Sequence, residues 1–112
     1  MMPEALAVLR GTLDVLVLKA LSAKAMHGYE ITEWIESRGR GNIELVDSAL
    51  YQALYRLEAR RLVHPVWAVT ENKRRARYYE ITREGRRHLE AETTKWARYA
   101  ATVSGILGTQ HS

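Results

Sequence analysis

The sequence predicts a mainly α-helical fold that carries one small β-hairpin. Three observations predict it. Segment 47–62, DSALYQALYRLEARRL, is apolar along one helical face and polar along the other. Segment 63–82 holds two β-rich runs around a charged turn. Segment 83–107 repeats its apolar residues in alternating steps of four and three, the seam of a helix packed along another helix.

Composition bounds what such a fold does. The chain has 112 residues, enough for one domain with a modest core, and 46% of them are hydrophobic. The formal net charge is +4 and the sequence pI about 9.6. That balance suits nucleic acid or another polyanion when the charge is clustered. It is clustered: Lys73, Arg74, Arg75 and Arg77 fall within a few positions of one another. There is no cysteine, which removes disulfides and thiolate metal sites. No apolar run approaches the ~20 residues that span a bilayer, and no secretion signal is read at the N-terminus. The expectation is a cytoplasmic protein that makes no membrane contact.

Taken in order, residues 1–10 begin weakly, because Pro3 does not suit a helix interior. Thr12 reads as an N-cap for LDVLVLKAL (Leu13–Leu21). Leu13, Leu16, Val17, Ala20 and Leu21 form one face of that helix, and Val15 and Leu18 a second. A helix apolar on two sides is buried on two sides, which suggests another subunit as well as the chain's own core. Residues 22–26 connect to His27-Gly28 and a helix YEITEWIES, with Ile31, Trp34 and Ile35 inward and Glu30, Glu33 and Glu36 toward water. His27 caps or packs at its start. Arg38-Gly39-Arg40-Gly41-Asn42 stops it with two glycines that permit positive φ. Ile43 to Val46 is strand-like.

Asp47 then reads as the N-cap of the central helix, and Arg60 and Arg61 favour its carbonyl end. Leu50, Leu54 and Leu57, widened by Ala53, make the buried stripe. Ser48, Tyr51, Gln52, Tyr55 and Ala59 make the opposite face. Hydroxyls and amides of that kind reach phosphate oxygens and base edges. The other reading, that Tyr51 and Tyr55 tuck sideways into the core, stands open at this point. Val63–Thr70 is a β-branched and aromatic strand, and Pro65 confines it to an edge or to a strand start. Residues 71–74 turn the chain, and Arg75–Thr82 returns, giving a hairpin with a basic tip and a basic second limb. Thr82 caps the last helix, which runs to about Leu107 and is ended by Gly108. Leu89, Thr93, Trp96, Ala100, Val103 and Leu107 form its seam, broadened by Tyr99 and Ile106. The helix is too long for so small a domain to cover, so a second copy is its expected cover.

Three helices followed by a basic hairpin is the order of a winged helix-turn-helix, here residues 1–82, with a dimerisation helix over 83–112. In that arrangement the third helix enters the major groove and the wing lies over the flanking backbone. An arginine-rich tip supplies affinity by releasing counterions from phosphates. A solvated charge run is the usual fate of such residues, but position beside an amphipathic helix weighs against it.

These residues also resemble a family. Met26-His27-Gly28-Tyr29-Glu30-Ile31, then Leu50-Tyr51 with Leu54-Tyr55-Arg56-Leu57-Glu58, then Arg77-Tyr78-Tyr79-Glu80-Ile81-Thr82-Arg83-Glu84-Gly85 look like the PadR family of bacterial transcriptional regulators. The resemblance covers roughly Leu9 to Leu107, and three ordered motifs make it specific. It implies a homodimer that binds double-stranded DNA, a winged helix-turn-helix, and a C-terminal helix that exchanges contacts across the dimer, in the smaller subtype with one short C-terminal helix. It implies a repressor released by a small molecule. Tyr51 matches the tyrosine that touches the DNA backbone. Ser48, Gln52, Tyr55 and Arg56 fall on the recognition helix, and Lys73, Arg74 and Arg75 on the wing. The sequence departs in having Ser48-Ala49-Leu50-Tyr51 where the family has Gly-Thr-Leu-Tyr, and Arg61 where the family often has glycine.

Other chemistry is weakly represented. Some small family members line an effector site with a tryptophan, which would make Trp96 a binding residue for a small hydrophobic or aromatic effector; filling the dimer core is the simpler role. Trp34 and Trp67 read as core or hairpin packing. His27, His64, His88 and His111 show no ligand spacing, so no metal or cofactor is expected. Glu30, Glu33 and Glu36 read as a solvated helix face and not as a catalytic pair, and no phosphate loop or nucleophile elbow is present, so no enzyme is expected. A rival from another class is a winged-helix module that docks an acidic protein, with Tyr51 and Tyr55 as anchors.

Overall fold

A computed structural model of the chain describes residues 6–7 and 10–109. The expectations for most of the first ten residues and for residues 110–112 lie outside those. Strand β1 (Leu6–Ala7) precedes helix α1 (Arg10–Ala23). Then come β2 (Met26–His27), α2 (Gly28–Arg38), β3 (Ile43–Glu44) and α3 (Asp47–Ala59). The hairpin strands β4 (Val63–Val69) and β5 (Arg75–Ile81) follow, and α4 (Arg83–Leu107) closes the order. The fold is mainly helical with a three-stranded antiparallel sheet ordered β2-β5-β4 and a short parallel pair β1-β3. It is the winged helix-turn-helix the element order predicts.

Helix α1 is the centre, packed against α2, α3, α4 and β5. Leu13, Val17, Leu18, Ala20 and Leu21 are buried on it, and meet Ile31 and Ile35 of α2 and Leu50, Ala53, Leu54 and Leu57 of α3 in one core. On the second apolar face of α1, Leu18 is fully buried in the chain's own core and Val15 is half-buried. β4 is the edge strand, with Pro65 opposite Tyr79, so the missing proline N–H costs no ladder bond. The sequence predicts a plain connection over residues 22–26. In the structure Met26 and His27 instead pair with Tyr79 and Tyr78.

The helix ends show where local pattern suffices. The Thr82 hydroxyl accepts from the Gly85 N–H at 2.9 Å and donates to the Arg61 carbonyl at 2.8 Å, capping α4 and tying it to the hairpin base. His27 is the N-cap of α2. Two caps differ from expectation. Asp47 lies inside α3, and extended Val46 holds the cap position without a side-chain bond; the Asp47 carboxylate acts instead as a first-turn charge against the positive end of the helix. Thr12 lies inside α1, which begins two residues earlier, at Arg10. Of the two glycines after α2, Gly39 keeps φ −76°, and Arg40 (φ 54°) and Gly41 (φ 78°) make the left-handed turn. Arg61 sits at φ 61°, the backbone region that favours glycine, which accounts for the glycine found there in the resembling sequences.

α4 has 25 residues, about 37 Å at 1.5 Å per residue. Its first turns pack on the domain, with Gly85 buried and Leu89 against the core. A Cβ at Gly85 would run into the Leu62 carbonyl, so glycine sets how closely α4 approaches the hairpin. Farther along, Trp96, Tyr99, Ile106 and Leu107 are exposed.

Candidate nucleic-acid interface

The structure decides the orientation of the polar face of α3. Ser48, Tyr51, Gln52 and Tyr55 are all exposed, Tyr55 at 78%. The tyrosines do not tuck into the core, because Leu50, Ala53, Leu54 and Leu57 already fill it. The result is a solvated row of one hydroxyl, one amide and two phenols on a rigid helix. Such groups suit acceptors such as phosphate oxygens and the mixed donor–acceptor edges of bases.

Tyr51 is held in place by the start of α2. A Cβ on buried Gly28 would sit 2.7 Å from the Tyr51 hydroxyl oxygen. The Glu30 N–H donates to His27 Nδ1 at 3.3 Å and the His27 N–H to Glu30 Oε1 at 3.2 Å, a reciprocal capping box. The His27 ring meets Tyr78 of β5 edge-on, with centroids 5.2 Å apart. The Tyr51 phenol thus lies at the positive end of a capped helix, beside the hairpin.

The hairpin tip is a short loop. The Thr70 N–H donates to the Arg74 carbonyl at 2.8 Å, the Lys73 N–H to the Thr70 carbonyl at 2.9 Å, and the Arg74 N–H to Thr70 Oγ1 at 3.2 Å. Lys73 takes φ 59° there. Lys73, Arg74 and Arg75 are exposed, and Arg75 lies 4.7 Å over the Trp67 ring. Between this tip and the start of α2 runs an open cleft of about 660 Å³, which Tyr29, Tyr51, Asn72, Arg74 and Arg75 help to line. Arg74, Arg75 and Arg77 bring three cationic groups to a lining that also carries Tyr29, Tyr51 and Tyr79.

Two arginines expected at this surface are paired with carboxylates, Arg56 away from the cleft and Arg77 within its lining. Arg56 Nη2 donates to Asp14 Oδ1 at 2.6 Å and Nε to Oδ2 at 3.3 Å, tying α3 to α1. The hydrogen bond to Asp14 holds the Arg56 guanidinium above its ordinary pKa, against the opposing effect of burial. Arg77 Nη2 donates to both carboxylate oxygens of Glu58, at 2.9 and 3.1 Å. Burial pushes the Tyr79 phenol up, partly offset by nearby Arg77. His27, Gly28, Tyr29 and Asn72 line the cleft although the sequence reading gave them no site role; the glycine directly after a capping histidine was the available signal.

The residues expected at a dimer seam divide. Leu89 packs on its own core, Ala100 and Val103 are half-buried, and Leu107 is exposed. Trp96, 55% exposed, stacks on Tyr99 with centroids 6.0 Å apart and planes 30° apart. Among the described residues there is no cluster of three or more metal-ligating side chains, and no helix is long and apolar enough to cross a membrane.

A family model for PadR-like transcriptional regulators matches residues 17–91. The structure is similar to a PadR family transcriptional regulator from Eggerthella lenta, at 31% identity and TM-score 0.75, over 90% of this chain and 86% of that one. It is also similar to a protein from Streptococcus mutans, at 27% identity and TM-score 0.81, over 96% and 97%. An uncharacterised 37.1 kDa protein of a Streptomyces fradiae transposon is 40% identical over 90 residues, which are 80% of this chain and 24% of that protein.

Proposed function

This chain belongs to the PadR-like family of transcriptional regulators, and on that premise we propose that it is a homodimeric repressor that binds duplex DNA and is released by a small hydrophobic or aromatic effector. Members of the family regulate transcription and are not enzymes. The observation that carries the DNA reading is the solvated, uncharged polar face of α3 beside a cationic hairpin tip. On this reading residues 1–82 form the DNA-binding domain. α3 enters the major groove, where Gln52 and Ser48 meet base edges and Tyr55 packs beside them. The Tyr51 hydroxyl, at the start of α2, donates to a phosphate. Lys73, Arg74 and Arg75 hold the backbone across the cleft. Arg56 and Arg77, engaged with Asp14 and Glu58, serve the frame of this surface and not its phosphate contacts.

Residues 83–112 supply dimerisation. A second α4 against Trp96, Tyr99, Ala100, Val103 and Leu107 would cover the apolar residues that α4 leaves exposed. It would place the two α3 helices one turn of duplex apart, roughly 34–36 Å. An effector entering beside Trp96 would shift that spacing and weaken binding. Planar cationic dyes should then quench tryptophan fluorescence saturably; unchanged emission at saturating dye contradicts the effector site.

Selection of genomic DNA by the purified chain tests the function as a whole. The expected result is an enriched palindromic site bound by two copies. Enrichment of no sequence, together with weak binding to every duplex, would favour docking of an acidic protein.

A further inference from the structure

Glu58 is out of place on a helix that presses against a polyanion. Its carboxylate lies in the last turns of α3, where it would repel phosphates, and it lies against the wing. Side chains two apart on a strand share a face, so Arg77 and Tyr79 lie side by side on β5. The Arg77 guanidinium carbon is 5.5 Å from the centre of the Tyr79 ring, and its Nη1 lies 3.5 Å from the Tyr79 hydroxyl. Tyr79 is itself buried, so the arginine stem is seated on a fixed platform. From there Nη2 spans to Glu58, with both carboxylate oxygens within 3.1 Å. The contact closes 19 positions of chain and links the recognition helix directly to the second limb of the wing.

We propose that Glu58 is a positioning residue for DNA binding: through Arg77 it fixes the angle of the wing to α3, so that groove and backbone contacts are made in one register. This rests on the DNA-binding reading above. Arg77 is then a strut, and its charge, neutralised by Glu58, adds nothing to the phosphate contacts of Lys73, Arg74 and Arg75.

The two roles predict opposite signs. Glu58→Gln removes a negative charge facing a polyanion, so charge alone predicts tighter binding. The brace predicts weaker binding, by roughly two- to fivefold for a half-exposed pair of this kind. Arg77→Gln should weaken binding to a similar degree without changing the salt slope, whereas loss of a phosphate contact lowers the slope by about 0.9. Glu58→Arg combined with Arg77→Glu should return affinity to within about twofold of the unaltered chain, which a purely local charge effect does not do. The measurement is titration of the selected duplex over a salt series with each variant, with thermal melts confirming a folded chain. Glu58→Gln binding as tightly as the unaltered chain or tighter, a reduced slope for Arg77→Gln, or failure of the exchanged pair each overturns the brace. If Glu58→Gln does not fold, Arg77→Gln and the exchanged pair decide it. Failure of the unaltered chain to bind any duplex would remove the DNA-binding reading itself, and so is distinguishable from failure of the brace alone.

Discussion

Gly28 is a residue whose role is the room it leaves. The Tyr51 hydroxyl occupies the place where a side chain would begin, 2.7 Å from an added Cβ. That atom is the far end of a half-exposed side chain, which can swing outward. Gly28→Ala is therefore expected to leave the melting temperature within a few degrees of the unaltered chain while moving Tyr51 and reducing DNA affinity several-fold. Paired melting and binding curves check it; unchanged affinity would show that the position of Tyr51 does not matter. At this scale the sequence was legible where chemistry is local. Thr82 and His27 cap the helices they precede. The pairing of Arg56 was not legible, because the resemblance places it on the recognition helix and its partner Asp14 lies 42 positions away. Arg77 is the same case with Glu58. Long-range pairing leaves no mark in a periodicity.

At the scale of elements, the join between α4 and the hairpin is set by Gly85. The obstacle to a larger residue there is the Leu62 backbone carbonyl, which cannot rotate aside as a phenol can. Gly85→Ala is expected to destabilise the domain by about 2 kcal/mol or more, read as a lowered midpoint in urea with unchanged slope. The contrast with Gly28→Ala tests whether backbone and side-chain obstacles differ as the geometry says. The long elements were legible, since each carries several repeats of its period. The hairpin runs Val63–Val69 and Arg75–Ile81, and α4 ends at Leu107 with Gly108 left-handed. β2 was not legible: two residues carry no period, and their strand character comes from β5. The polar face of α3 was legible as a pattern, but whether its tyrosines turned in or out depended on the filled core beneath them.

At the scale of the molecule, the proposed role of α4 is to set two reading helices apart. Trp96 and Tyr99 form a stacked pair on the part of α4 that extends beyond the domain core. Trp96→Glu with Tyr99→Glu should leave each domain folded and shift sedimentation toward a single chain, with DNA affinity falling at least tenfold as the linked second site is lost. Sedimentation unchanged from the unaltered chain would place the dimer contact elsewhere. The sequence shows an uncovered seam, and in the structure Trp96, Tyr99, Ile106 and Leu107 of that helix are exposed.

The central claim, that the α3 face and the hairpin tip together hold duplex DNA, is tested most directly by the salt dependence of binding to the selected duplex, measured beside Arg74→Ala. The account predicts a linear fall of log affinity with log salt, and a slope smaller by about 0.9 per altered chain in the variant, with the preferred sequence unchanged. A slope near zero, or one that Arg74→Ala leaves untouched, would contradict it.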